Sequence, residues 1–174
     1  MKNIFRAKNI SKIFLVGFVL AFIACSSPQT PQMQVEKINE NDLKLVLIKT
    51  NNIKFYDFGV LTTSPEVSLE LFKLGKSIGK FVVKDREICF NDDCAPKWPA
   101  SKSFFGQVGY DNLFQEILLK EDIFDGMGKQ IAVNGILIQR FDYGGEEIYY
   151  ERSENRVYFK NLTNDVTVSI ENYK

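Results

Sequence analysis

Val67-Ser68-Leu69-Glu70-Leu71-Phe72 alternates apolar and polar side chains, breaks at Leu74-Gly75-Lys76, and resumes over Ser77 to Lys84 as S-I-G-K-F-V-V-K. A period of two sends successive side chains to opposite faces, so each run has one apolar face and one wet face. Two such runs around a short glycine-containing break describe an antiparallel hairpin. The same habit extends outward in both directions. Upstream, Leu43 to Thr50 and Ile53 to Phe58 flank Asn51-Asn52, a pair that tolerates the positive φ of a two-residue hairpin turn. Downstream, the chain turns at Asp85-Arg86, and Glu87 to Phe90 starts another strand.

The C-terminal third repeats the pattern. Gly135–Asp142, Glu147–Glu151, Arg156–Leu162 and Asp165–Tyr173 are separated by Gly144-Gly145, Ser153-Glu154-Asn155 and Thr163-Asn164. Short strands with such frequent turn signals predict an antiparallel meander. In the last run Val166, Val168 and Ile170 share one face, and Thr167, Ser169 and Glu171 the other. One helix interrupts the strands, Asn112 to Lys120. Asp111 or Asn112 can cap it, Leu113, Phe114, Ile117 and Leu118 form a stripe, and Glu116 precedes Lys120 by one turn in the favourable order. Gly126 is its expected stop. No internal repeat or second domain interrupts residues 41–174, which read as a single β-rich domain.

Composition narrows the function. Histidine is absent from the 174 residues, which removes the commonest general base and the commonest metal ligand together. No catalytic residues, metal or cofactor are expected. The first 24 residues hold four cations (Lys2, Arg6, Lys8, Lys12) and no acid, which leaves 18 cations against 22 acids in the remainder. A mildly acidic domain has no counterion-releasing grip on nucleic acid.

Met1 to Lys12 is basic, and Ile13 to Ile23 is an apolar run of 11 residues, short of the ~20 that span a bilayer. Residues 1–24 therefore read as a signal peptide. Ile23-Ala24-Cys25-Ser26 resembles the lipobox of bacterial lipoproteins, with Phe22 where leucine is usual. That resemblance implies lipidation of Cys25. Ser26, rather than aspartate, after the cysteine implies the outer membrane. Residues 25–40, polar and with two prolines, read as the lipidated cysteine and a flexible tether.

Cys89 and Cys94 bracket four residues and are expected to form a structural disulfide across a hairpin end. A redox-active pair is the alternative, although that chemistry usually has Cys-x-x-Cys before a helix. Asn91, Asp92 and Asp93 offer fewer oxygens than calcium takes, so a solvated hairpin tip is expected. Ala95 to Gly106, A-P-K-W-P-A-S-K-S-F-F-G, reads as an apolar loop: either a lid over a pocket or a plug on the open end of a sheet.

From Val67 to Lys174 the chain resembles the LolB family of outer-membrane lipoproteins, which receive other lipoproteins from the periplasmic carrier LolA. The resemblance rests on V-S-L-E-L-F-K-L-G-K-S-I-G-K-F-V-V, on D-N-L-F-Q-E-I-L-L-K-E-D-I-F-D-G, and on N-L-T-N-D-V-T-V-S-I-E-N-Y-K. The Cys89/Cys94 pair and the short middle depart from the family. The resemblance implies a mainly β (α+β) fold: a curved antiparallel sheet forming an unclosed barrel, with one or two helices on its concave face. It also implies an interior that accepts acyl chains. Trp98, Phe104, Phe105, Leu113, Phe114, Ile117 and Leu118 would line or cover that space. Leu74, beside Gly75, matches a leucine that in the family projects outward and helps deliver cargo lipid; otherwise Leu74 ends a buried strand face. The implied partners are lipoprotein acyl chains, a LolA-like carrier and the membrane, with the protein a monomer anchored in the outer membrane and facing the periplasm. The same strand pattern also describes a solid sandwich filled by Phe55, Leu69, Phe81, Ile117 and Ile138. A non-enzymatic adhesin or assembly scaffold is then the alternative function.

Overall fold

The computed structural model describes residues 42–173; the signal-peptide segment, Cys25 and the tether lie outside them. Strands β1 (Leu43–Lys49), β2 (Lys54–Thr62), β3 (Val67–Lys73), β4 (Lys76–Val83), β5 (Glu87–Phe90) and β6 (Asp93–Pro96) form one meander. A helical connection follows: α1 (Lys97–Phe105), a 3-10 turn at Gly106–Val108, α2 (Leu113–Leu119) and a second 3-10 turn at Phe124–Gly126. The second meander comprises β7 (Lys129–Ile131), β8 (Leu137–Tyr143), β9 (Glu146–Arg152), β10 (Arg156–Asn161) and β11 (Thr167–Asn172).

Antiparallel pairing of β1 with β11 joins the two meanders into one 11-stranded sheet, in the order β6-β5-β4-β3-β2-β1-β11-β10-β9-β8-β7. Every neighbouring pair is antiparallel, as short turns between consecutive strands require. The two ends, β6 and β7, do not pair with each other, so the barrel is unclosed. The sheet is curved, and α2 packs against both β3 and β10, strands that lie on opposite sides of the β1–β11 junction. The fold expected from the resemblance is the fold observed.

Alternation supplies the inner face. Leu69 and Leu71 of β3, Phe81 and Val83 of β4, Val157 and Phe159 of β10, and Val168 and Ile170 of β11 are all buried. Into this concavity α2 inserts Leu113, Phe114, Ile117 and Leu118, each at most 2% exposed. Burying a side chain of this size contributes about 1.5–3 kcal/mol, so α2 is held by its stripe and not by its seven-residue length.

Several local expectations need correction. Neither Asn51 nor Asn52 takes a positive φ; instead the Thr50 hydroxyl accepts the N–H groups of Asn52 (3.1 Å) and Ile53 (3.0 Å) and closes the turn. No side chain caps α2, because Asn112 Oδ1 accepts from Lys97 Nζ at 3.4 Å. Glu116 does not pair with Lys120. Lys120 ends the helix in the left-handed region (φ 56°) and its ammonium reaches the carbonyls of Glu154 (2.6 Å) and Ser153 (3.3 Å), while Glu116 accepts from the Tyr110 hydroxyl. Ala95–Gly106 is not a loop: it is the end of β6 and then α1. In β8 the buried residue is Gln139, not Ile138, which is half-buried. The Gln139 amide donates to the carbonyls of Ile123 (2.7 Å) and Met127 (3.0 Å) and accepts the Ile123 N–H (3.0 Å), so all its polar atoms are satisfied.

Candidate functional site

The two helices fill the concave face unequally. Helix α1 carries K-W-P-A-S-K-S-F-F, with small side chains at Pro99, Ala100, Ser101 and Ser103 where α2 has leucine and isoleucine. Pro99 fits because the first helical turn has no intrahelical use for its N–H groups. Small residues on a helix that stands against a sheet leave space. A cleft of about 400 Å³ results, within the ~300–1,000 Å³ usual for ligand pockets.

Its walls come from four places. The sheet contributes Phe81 and Phe90, the turn after β1 contributes Ile53, and α1 contributes Phe104. Phe114 of α2 and Ile88 of β5 complete the apolar lining. The rings form a continuous cluster: Phe81 lies 4.7 Å from Phe90, 5.4 Å from Phe114 and 6.1 Å from Phe104 between centroids. The Phe90 ring also sits over Gly79, at a point where a Cβ would collide with it. Polar groups are few. Asp93 and Asn52 take part in the lining, and Ser101 is buried with its hydroxyl unpartnered. Such a surface can take an apolar chain out of water at about 25 cal/mol per Å² covered.

The hairpin that forms one wall is cross-linked. Cys89 and Cys94 are directly opposed in the β5–β6 ladder and joined by a disulfide, as a hairpin-end pair requires. Asn91, with φ 54°, makes the tip: its N–H donates to the Lys80 carbonyl (2.8 Å) and its side-chain oxygen accepts the Lys80 N–H (2.9 Å). That oxygen is engaged in holding the turn. Glu87 comes within 4.8 Å of both sulfurs, but sulfurs bonded to each other offer no thiolate to a metal.

The residues singled out from sequence fall into four sets. Phe104, Phe105 and Phe114 line the cleft. Leu113, Ile117 and Leu118 are packed core and do not reach it. Trp98, on α1, is 58% exposed and faces a different cleft. Leu74 does not end a buried face: it is 92% exposed at the tip of the β3–β4 turn, with φ 51° beside Gly75 at φ 75°, and exposed Lys73 and Lys76 flank the pair. Sequence reasoning missed Ile53, Ile88 and Phe90 as lining residues. The register of β4 against β5, which pairs Phe81 with Phe90 and Val83 with Ile88, brings the last two together, and Ile53 joins them from the turn between β1 and β2.

No protein-family model, curated protein or solved structure matches the chain.

Proposed function

We propose that the protein is an outer-membrane lipoprotein that binds the acyl chains of other lipoproteins and helps insert them in the membrane, as LolB does. The observation that carries this reading is the aromatic cleft between α1 and the concave face of the sheet. Two features support it. A curved, unclosed sheet can admit a long chain at its open side, and Leu74 stands clear of the fold between two lysines, where a side chain can enter a lipid surface. On this reading Cys25 carries the anchor, residues 25–40 give the domain reach, and a LolA-like carrier hands over cargo. Lipid insertion of Leu74 beside Lys73 and Lys76 combines apolar burial with attraction to anionic headgroups.

The test is binding of cis-parinaric acid, a fluorescent fatty acid, to the purified protein and to Ala100→Phe. The substitution puts a ring into the cleft from α1. Saturable binding by the wild type, lost in the variant while the melting temperature holds, is the expected result. A wild-type protein that binds no fatty acid sinks the proposal. The adhesin or scaffold alternative draws on a different observation: Ile131 and Val133, at and beyond the β7 sheet edge, are 74% and 96% exposed.

A further inference from the structure

A second cleft, of about 290 Å³, shares no residue with the first. Trp98 and Lys102 of α1, Tyr110, Glu116 of α2, Asp125 and Tyr143 surround it. Its walls combine exposed aromatic rings with a turn that is held in place by packing and hydrogen bonds.

Two large aromatics stand at it unburied, Trp98 at 58% and Tyr143 at 45% exposure. Two adjacent residues that bear side chains, Phe124 (φ 47°) and Asp125 (φ 52°), are held in the left-handed region, a conformation that persists only where surrounding contacts impose it. The contacts are visible: Phe124 packs on Tyr143 (4.6 Å), Tyr110 (4.7 Å) and Phe141 (5.1 Å), and this places Asp125 on the cleft wall. The Tyr110 hydroxyl donates to Glu116 and accepts the Phe124 N–H at 3.0 Å, so the carboxylate and the turn are locked together. Burial pushes the pKa of both Tyr110 and Glu116 above their ordinary values.

The charge pattern selects among ligands. Lys102 shares the cleft with two carboxylates, Asp125 and Glu116, so a free anion is disfavoured. An external ammonium is disfavoured in turn. Lys102 Nζ already lies 5.7 Å from the Trp98 ring centre and donates to the Gln107 carbonyl, so the chain supplies its own cation there. What remains is a neutral ligand with an apolar flat face for the aromatics and hydroxyl groups for the acids. We propose that this cleft binds a saccharide, with a pyranose ring packed against Tyr143 beside Trp98 and its hydroxyls hydrogen-bonded to Glu116 and Asp125. The proposal is independent of acyl-chain binding in the first cleft.

Trp98 is the only tryptophan in the chain, so its emission reports on this cleft without labelling. The purified full-length protein is titrated separately with cellobiose, with N,N′-diacetylchitobiose, with tetramethylammonium and with palmitate. A saturable change in emission with at least one disaccharide, and none with the other two probes, is expected. Glu116→Gln and Tyr143→Ala should each weaken the disaccharide by about tenfold, with the thermal melt of neither variant lowered. No response to either disaccharide, a saturable response to tetramethylammonium, or unchanged affinity in Tyr143→Ala overturns the assignment. Palmitate binding seen by other means tests the first cleft separately, so the two readings fail apart.

Discussion

Helices α1 and α2 belong to one connection and stand over one sheet, yet one seals the interior and the other leaves it open. Helix α2 presents Leu113, Phe114, Ile117 and Leu118 to the sheet, at the three- and four-residue spacing that makes a stripe. Helix α1 buries Lys97, Ser101 and Phe105. Its Lys97 ammonium is satisfied by Gln115 Oε1 at 3.0 Å, so α1 is tied to α2 partly by a polar contact. The difference teaches that concavity alone does not make a cavity. The sheet curves over both helices, and the size of the helical side chains decides whether the space beneath is core or cleft.

That contrast can be broken most directly at Ile117. It is fully buried, and Ile117→Ala should cost about 2–5 kcal/mol by loss of transfer energy and creation of a void. Chemical denaturation measures it. A loss near zero would mean that the α2 side is as loosely packed as the α1 side, and the distinction would fall. Next in size is the disulfide that braces the cleft wall. Cys89→Ser with Cys94→Ser should cost about 2 kcal/mol, the low end of the usual range because the closed loop is short. Thiol alkylation of denatured, unreduced wild type should label neither residue, and labelling of both would remove the brace from the argument.

A smaller effect is expected at the β3–β4 turn. Leu74→Glu changes a side chain that is 92% exposed, so stability should move by less than about 0.5 kcal/mol. On the proposed function the same variant stops transfer of lipoprotein cargo to membranes. An unchanged melt with normal transfer would separate the turn from any role in delivery.

These contrasts also show why some parts were legible in the chain and others were not. The meanders announce themselves because alternation at Val67–Phe72 or Val166–Ile170 is a property of consecutive residues. Helix α2 does so through its stripe. Strand β6 and helix α1 were hidden for physical reasons: two prolines and two serines within ten residues lower intrinsic helix preference, and only the tolerance of a first turn for Pro99 admits the helix. The burial of Gln139 was hidden for another reason. Its burial depends on the backbone of Ile123 and Met127, sixteen and twelve residues earlier, and no local pattern encodes that. The cleft itself is legible only as an absence of bulk on α1, which becomes meaningful once β4, β5 and the turn after β1 are known to face it.

A pH-dependent effect concerns the outward face of α2, where the helix that packs so tightly inside carries a partly buried carboxyl. Burial, the largest cause, raises the Glu116 pKa, and the hydrogen bond from Tyr110 partly opposes it. The folded protein thus holds this proton more tightly than the unfolded chain. The contribution favours folding fully below the ordinary carboxylate value and is lost as pH rises through the raised one. Glutamine has no such titration, so Glu116→Gln should gain on the wild type between about pH 3 and about pH 7. The gain should stay below about 1 kcal/mol, since the group is only half-buried and water screens it. Denaturation midpoints of both proteins at the two pH values give the difference directly. A gap that does not change with pH would mean that Glu116 is solvated like a surface acid. A gap that widens as expected means that the wild type keeps an ionisable group there at the expense of stability, which is the behaviour of a residue held for binding rather than for packing.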